Sequence, residues 1–234
     1  MFQETLWNGI TLLQDEGQFR LSTDSVVCAS FARFGRGSRV ADLGCGGGAI
    51  AMLLLANDST LQLTGIELQE AAAAVAAQNA AKNPVNFRVI HGDLREIRQL
   101  LPAGSMDHVI SNPPYFPVGS GQPSADPALA AARSEATCDL EQLAHAAAWL
   151  LRTGGSFVLV HRPERLADLI CTLRAYRLEP KRIRFVRHRA CDFVSLVLLE
   201  AKKGGKPGLA YEPDLILRDE TGQETAETRA IYHR

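Results

Sequence analysis

The sequence is short of aromatic residues, of net charge and of long apolar runs, and each shortage narrows the possibilities. Phe, Trp and Tyr make up 6% of the chain, so an aromatic beside a polar motif stands out. Net charge is −1 at pH 7, which gives no whole-molecule attraction to nucleic acid; any basic surface must be local. The longest apolar run, Ala49 to Ala56, falls far short of the ~20 residues that span a bilayer. No membrane partner is expected. The start, Met1-Phe2-Gln3-Glu4-Thr5, has no basic region followed by an apolar run, so no signal peptide is read there. Cysteine is sparse and unpaired in pattern. Cys28, Cys45, Cys138, Cys171 and Cys191 are odd in number, and none forms a CxxC or Cys/His ligand spacing. That excludes a disulfide scaffold or zinc site and favours a reduced, cytoplasmic setting.

What remains is a globular chain of 234 residues, 46% hydrophobic and 22% charged. That size suits a single domain over 1–234, with a hairpin-like lead-in over 1–22 and a polar tail over 207–234. In the lead-in, Ile10 to Leu13 and Phe19 to Leu21 flank a polar turn at Asp15-Glu16-Gly17. Ser22-Thr23-Asp24 offers N-cap oxygens, with Asp24 as cap or, alternatively, as a ligand contact, before an apolar helix over Val26 to Phe34.

Strands and helices then alternate. Strands are read at Ser38–Leu43, Leu61–Glu67, Phe87–Ile90, Met106–Ile110 and Ser156–Val160. Helices are read at Ala49–Ala56, Glu70–Lys82, Leu94–Leu101, Leu140–Leu151 and Arg165–Tyr176, with Gly154 and Gly155 closing the fourth of them. Alternation of this kind predicts an α/β fold with a parallel sheet between two helical layers. Two last runs, Arg182–Val186 and Phe193–Leu199, read as an antiparallel hairpin. Residues 117–133 form a long Gly/Pro/Ser/Ala-rich loop of the kind that serves function.

The chemistry gathers at the strand ends. Gly44, Gly46 and Gly48 alternate in the turn from the first main strand into its helix, where glycine lets backbone approach a ligand. Asp42 precedes them. Glu67 ends the next strand, 23 positions after Gly44, where a carboxylate takes ribose hydroxyls. Asp93 ends the third strand and can accept from an adenine amino group. The fourth strand runs into Ser111-Asn112-Pro113-Pro114-Tyr115-Phe116. Two prolines lacking N–H groups make a stiff ledge there. It carries one amide, open carbonyls and an aromatic ring, which suits a flat substrate with an amino group.

Asp-Leu-Gly-Cys-Gly-Gly-Gly, Glu67, Asp93 and Asn-Pro-Pro-Tyr together resemble the Rossmann-like, class I S-adenosylmethionine-dependent methyltransferases, and among them the amino-methylating branch. The resemblance implies a seven-stranded, mostly parallel sheet whose last strand is antiparallel. It implies S-adenosylmethionine as cofactor, with Asp42, Gly44, Gly46 and Gly48 around its methionine part, Glu67 on the ribose and Asp93 near the adenine. Asn112 and Pro113 would accept the hydrogens of an acceptor amine, Pro114 would stiffen the ledge, and Tyr115, with Phe116, would stack on a base. No metal or covalent nucleophile is called for, and His91, His108, His145 and His161 read as structural.

Between Arg177 and Lys206 lie nine Lys or Arg residues against three acids, Glu179, Asp192 and Glu200. Arg184, Arg187, Lys202, Lys203 and Lys206 are therefore candidate RNA contacts. The stretches Phe19-Arg-Leu-Ser-Thr-Asp-Ser25 and Lys202-Lys-Gly-Gly-Lys-Pro-Gly-Leu209 resemble the tRNA(valine) adenine-N6 methyltransferase family over nearly the whole chain. Ala132-Arg133-Ser134-Glu135 is similar to that family's Ala-Arg-His-Glu element, with serine in place of histidine, and adds Arg133 to the candidates. The hairpin turn over 187–192 departs from the family's proline-rich turn. The resemblance implies methylation of an anticodon-loop adenine, with tRNA as partner. Two alternatives stand beside it. One is methylation of a glutamine side chain in a release factor, which an amino-terminal helical domain would favour; none is seen in this chain. The other is a cofactor-binding module without catalysis.

Overall fold

A computed structural model describes residues 2–14, 21–113 and 139–233. The lead-in is a ribbon of β1 (Phe2–Thr5) and β2 (Thr11–Gln14), paired antiparallel across a short turn at Trp7–Gly9. The first arm of the hairpin expected over 10–21 pairs with upstream residues, and its turn and most of its second arm, residues 15–20, lie outside the described part. A two-stranded ribbon is marginal alone. This one is docked by two side-chain amides. Asn79 accepts from the Leu13 N–H (2.6 Å) and donates to the Leu13 carbonyl (3.0 Å), and Asn83 does the same with Thr11 at 2.7 and 2.8 Å.

The main sheet is built from β3 (Arg39–Leu43), β4 (Gln62–Glu67), β5 (Phe87–His91), β6 (Met106–Ser111), β7 (Leu151–His161), β8 (Leu178–Arg187), β9 (Val194–Lys203) and β10 (Ala210–Ile216). Its order is β10-β8-β9-β7-β6-β3-β4-β5. Every pairing is parallel except the two made by β9, against β7 and β8. Seven strands with an antiparallel last member are present as expected. An eighth, β10, comes from the segment expected as a polar tail and pairs parallel with β8, so β8 is not an edge.

Helices α1 (Thr23–Phe31), α2 (Ala49–Asn57) and α3 (Glu70–Lys82) follow, then α4 (Ile97–Leu100), α5 (Leu140–Leu150), α6 (Leu166–Ala175) and α7 (Ala226–Ile231). One apolar core joins α1, α2 and the ribbon to one face of the sheet; a second joins α5 and α6 to the other. Ile50 to Ala56 of α2 are buried all round, so that helix shows no polar face.

Three boundaries differ from the sequence reading. Helix α1 stops at Phe31, short of Phe34, because the Arg182 guanidinium claims the Phe31 carbonyl (2.7 Å) and lies over its ring (4.3 Å). Helix α5 hands over directly to β7 at Leu151, so the glycines do not cap it. They form a register shift instead: Gly154 is left-handed at φ +80°, and a Cβ on Gly155 would sit 2.7 Å from the Asp107 carbonyl. The helix read over 94–101 is a tight turn at Leu94–Glu96 followed by the single-turn α4.

Candidate active site

Parallel pairing of β5, β4, β3 and β6 sets four strand ends side by side, at the carboxyl edge where open α/β sheets bind ligands. The glycine turn after β3 is held by the Gly44 and Cys45 N–H groups, which both donate to the Ile66 carbonyl at 2.9 and 3.1 Å. Gly44, Gly46 and Gly48 all have left-handed backbones. At Gly48 (φ +85°) a Cβ would also meet the Phe87 ring at 2.9 Å, so only glycine fits.

Two carboxylates lie beneath this turn. Glu67, 6% exposed, accepts from the Gly46 N–H through Oε2 and from the Gln69 N–H through Oε1, both at 2.8 Å. It therefore clamps the glycine turn as well as facing the site, a role its sequence position does not disclose. Asp42 is 1% exposed, and among the described residues neither of its oxygens accepts a hydrogen bond of ordinary length and angle, the Ala51 backbone N–H stabilising it only weakly. Burial first, then the Glu67 charge, pushes its carboxyl up to about 7. A buried, unpartnered acid beside a second acid is costly without a cation or donor to meet it.

Asp93 is placed differently. Its carboxylate caps the turn at Leu94–Glu96 through the Arg95 N–H (2.8 Å) and forms an ion pair with the Arg95 guanidinium, which holds it below the usual carboxylate range. It lies at the end of β5, engaged by its own turn.

The ledge is tied to both neighbours. The Ser111 hydroxyl donates to the Leu43 carbonyl (2.7 Å), locking β6 to the start of the glycine turn. The Asn112 amide donates from Nδ2 to the Ser25 hydroxyl (3.3 Å) in the first turn of α1. Ser25 is itself held by the cap: the Ser22 hydroxyl accepts from the Ser25 N–H (3.2 Å) and meets its hydroxyl at 3.2 Å. The cap is thus Ser22, with Asp24 in the first turn beyond it. Ser25 was missed by the sequence reading. Its only signal was the Ser-x-x-Ser spacing, since its partner lies 87 residues away. Pro113 follows at half-burial; Pro114, Tyr115, Phe116, the loop 117–133 and Arg133 lie outside the described residues.

The basic candidates separate. Arg184 pairs with Glu227 (2.7 Å) and Arg187 with Asp214 (2.6 Å), while Arg182 bridges Glu200 and Glu212. The acids come from β10, α7 and β9, and Glu212, Asp214 and Glu227 lie beyond Lys206, outside the basic stretch. Lys202 and Lys203 sit at the other end of β9. Lys202 is level with Ser156, which is level with His108, whereas Ser111 is level with Leu159. Lys202 and Lys206 are exposed or partly so; the Lys203 ammonium turns inward onto the Leu151 carbonyl (2.7 Å). Of the histidines, His91 meets the Leu68 carbonyl (3.0 Å) and His108 the Ser156 hydroxyl (2.8 Å). The Arg162 N–H donates to His161 Nδ1 (2.9 Å).

Known proteins of similar sequence and fold place the chain among methyltransferases. The family model described as methyltransferase small domain matches residues 25–170. A tRNA1(Val) (adenine(37)-N6)-methyltransferase from Shewanella sp. (strain MR-4) is 30% identical over 213 residues, 88% of this chain and 87% of the relative. The protein of the same name from Tolumonas auensis is 30% identical over 224 residues, 93% and 90% of the two chains. Among solved structures, an Agrobacterium tumefaciens protein described as a predicted O-methyltransferase superimposes with TM-score 0.73 at 23% identity, covering 90% of this chain and 96% of its own. That likeness carries the fold.

Proposed function

Because the chain belongs to the methyltransferase small domain family, and so is an S-adenosylmethionine-dependent methyltransferase, we propose that its acceptor is the exocyclic amino nitrogen of an adenine in tRNA. The observation that carries this reading is Asn112, held by Ser25 at the end of β6, beside a glycine turn lined by two buried carboxylates. The residues present suit the cofactor. Asp42 is a buried carboxyl that a bound cation would hold ionised, and the left-handed glycines keep side chains out of the turn. S-adenosylmethionine, when bound, supplies an electrophilic methyl group on a positively charged sulfur.

The chain's own residues do the rest. Asp42, with Gly44, Gly46 and Gly48, surrounds the methionine part; Glu67, its orientation locked by two backbone N–H groups, takes the ribose hydroxyls. Asp93 edges the adenine from β5. An adenine amino group is a poor nucleophile because its lone pair is spread into the ring. Asn112 and the Pro113 carbonyl accept its two hydrogens, which localises the lone pair as the nitrogen becomes tetrahedral. That stabilisation grows toward the transition state, so it acts on rate more than on binding. Pro114 stiffens the ledge and Tyr115 stacks on the unstacked base, worth about 1–3 kcal/mol. The names carried by the relatives support tRNA, and an adenine of the anticodon loop, as the acceptor. Arg133, Lys202 and Lys206 contact the RNA backbone; Arg184 and Arg187, spent in ion pairs, serve mainly to hold β8, β10 and α7 together.

The test is transfer of label from S-adenosylmethionine to unmodified tRNA or to release factor. Label in tRNA, recovered as N6-methyladenine, is expected. Label in release factor alone, or in neither while cofactor binds, overturns the reading.

A further inference from the structure

A cavity of about 610 Å³ opens on the α5/α6 face of the sheet, toward the amino ends of the parallel strands and away from the glycine turn. Arg98 of α4, His145 and Trp149 of α5, Tyr176 and Arg177 after α6, and Lys203 at the end of β9 line it. Its size lies in the range of small-molecule pockets. No carboxylate is among its lining residues, and among the described residues none of the three cations forms an ion pair with an acid. That is unusual here, because the arginines of β8 are each matched by acids.

The aromatic side is equally specific. Trp149 donates its indole N–H to the Leu101 carbonyl (3.0 Å), which fixes the ring. The Arg98 guanidinium lies 4.9 Å from the centre of that ring and 3.4 Å from His145 Nε2. His145 meets Tyr176 edge-on at 6.1 Å. Arg177 has a left-handed backbone (φ 62°), a conformation that costs an ordinary L-residue about 1–2 kcal/mol and that Gly or Asn would adopt more cheaply. Its carbonyl is pinned by the Gly204 N–H (2.9 Å), which keeps the side chain at the cavity. The Lys203 ammonium is held below its ordinary range by burial and, secondarily, by Arg177, so positive charges crowd one another there.

We propose that this cavity binds a nucleotide, its phosphate met by Arg98 and Arg177, with Lys203, held on the Leu151 carbonyl, adding positive charge beside it, and its base stacked against the Trp149–His145–Tyr176 wall. Cations crowded without acids favour an anion of high charge density, and guanidinium groups match phosphate oxygens in pairs. A fixed ring wall favours a flat base on that anion over a bare ion. The nucleotide can come from RNA bound across the protein or from a free pool, and the site stands whatever acceptor receives the methyl group.

Trp149 reports on it directly. The chain has two tryptophans, so Trp7→Phe leaves Trp149 as the sole indole emitter. With the cofactor site filled by S-adenosylhomocysteine, this protein is titrated with adenosine monophosphate, inorganic phosphate and a tRNA transcript. Saturable quenching by adenosine monophosphate is expected, weakened at least tenfold by Arg98→Glu, with S-adenosylhomocysteine affinity unchanged. Arg177→Asn, which suits the left-handed backbone, should weaken it too and covers the case in which R98E disturbs α4. Quenching by tRNA that adenosine monophosphate competes away assigns the site to RNA; quenching by the mononucleotide alone assigns it to a free nucleotide. No saturable quenching, equal binding of inorganic phosphate, or indifference to both variants overturns the proposal.

Discussion

Replacing Asp42 by Asn separates what the site costs the fold from what it gives the cofactor. In the folded protein the Asp42 carboxyl titrates at about 7, against 3.8 for an exposed aspartate, because it is buried without partners beside Glu67. Between those values the folded state holds a proton that the unfolded chain has lost. Stability therefore falls as pH rises from about 4 to about 7 and stays low above that. At 1.36 kcal/mol per pH unit, the full penalty is up to about 4 kcal/mol, and about 3 kcal/mol of it develops between pH 5 and pH 8. The amide of the D42N variant cannot ionise, so that variant should escape the penalty. Urea unfolding of wild type and D42N without cofactor, at pH 5 and pH 8, checks this. Comparing the two proteins at each pH cancels other titrating groups, such as His161, which burial depresses to about 4. D42N should gain on wild type by about 3 kcal/mol between the two pH values. Cofactor affinity should move the opposite way: D42N binds S-adenosylmethionine tenfold or more weakly. In wild type alone, affinity should decline as pH falls below 7, because binding must expel a proton. An unchanged stability difference between pH 5 and pH 8 would refute the buried, unpartnered anion.

Asn112→Ala should lower methyl transfer by at least a hundredfold, about 2.7 kcal/mol in the barrier, with S-adenosylmethionine affinity near normal by calorimetry; parallel loss of both would displace the ledge from the acceptor side. Ser25→Ala removes the hydroxyl that accepts from the Asn112 amide and should reduce kcat about tenfold while KM and cofactor affinity change little, with Ser25→Thr restoring part of the rate. Gly48→Ala combines a positive φ with a 2.9 Å clash on Phe87 and should cost roughly 1–3 kcal/mol in denaturant unfolding as well as cofactor binding. Arg187→Glu sets like charges against Asp214 and should lower the melting temperature; a protein of unchanged Tm that loses only RNA affinity would return Arg187 to the RNA interface.

Much of the frame was readable from local pattern. Helix α3 runs from Glu70 to Lys82 as read, because an alanine-rich segment stopped by Asn83-Pro84 has one local solution. The glycine turn, Glu67 and Asn112 fell at strand ends because a parallel sheet brings consecutive strand ends to one edge. Several of the misses share a cause, in that each depends on a residue distant in sequence. The end of α1 answers to Arg182, the ribbon to Asn79 and Asn83, and the orientation of Asn112 to Ser25. The charge balance of the basic stripe was hidden from the sequence for the same reason, since Glu212, Asp214 and Glu227 enter it only through β10 and α7.

Backbone sterics and short-range periodicity are written along the chain. They set the alternation of strands and helices, the turn that demands glycine and the stiff proline ledge. Which charges survive as charges was settled by folding. Among the described residues it left Asp42 without an ordinary hydrogen-bond partner, clamped Glu67 to the glycine turn, paired the arginines of β8 with acids, and left Arg98, Arg177 and Lys203 facing one cavity without an acid. Electrostatic energy depends on distance and burial, and neither exists until residues far apart in sequence have met.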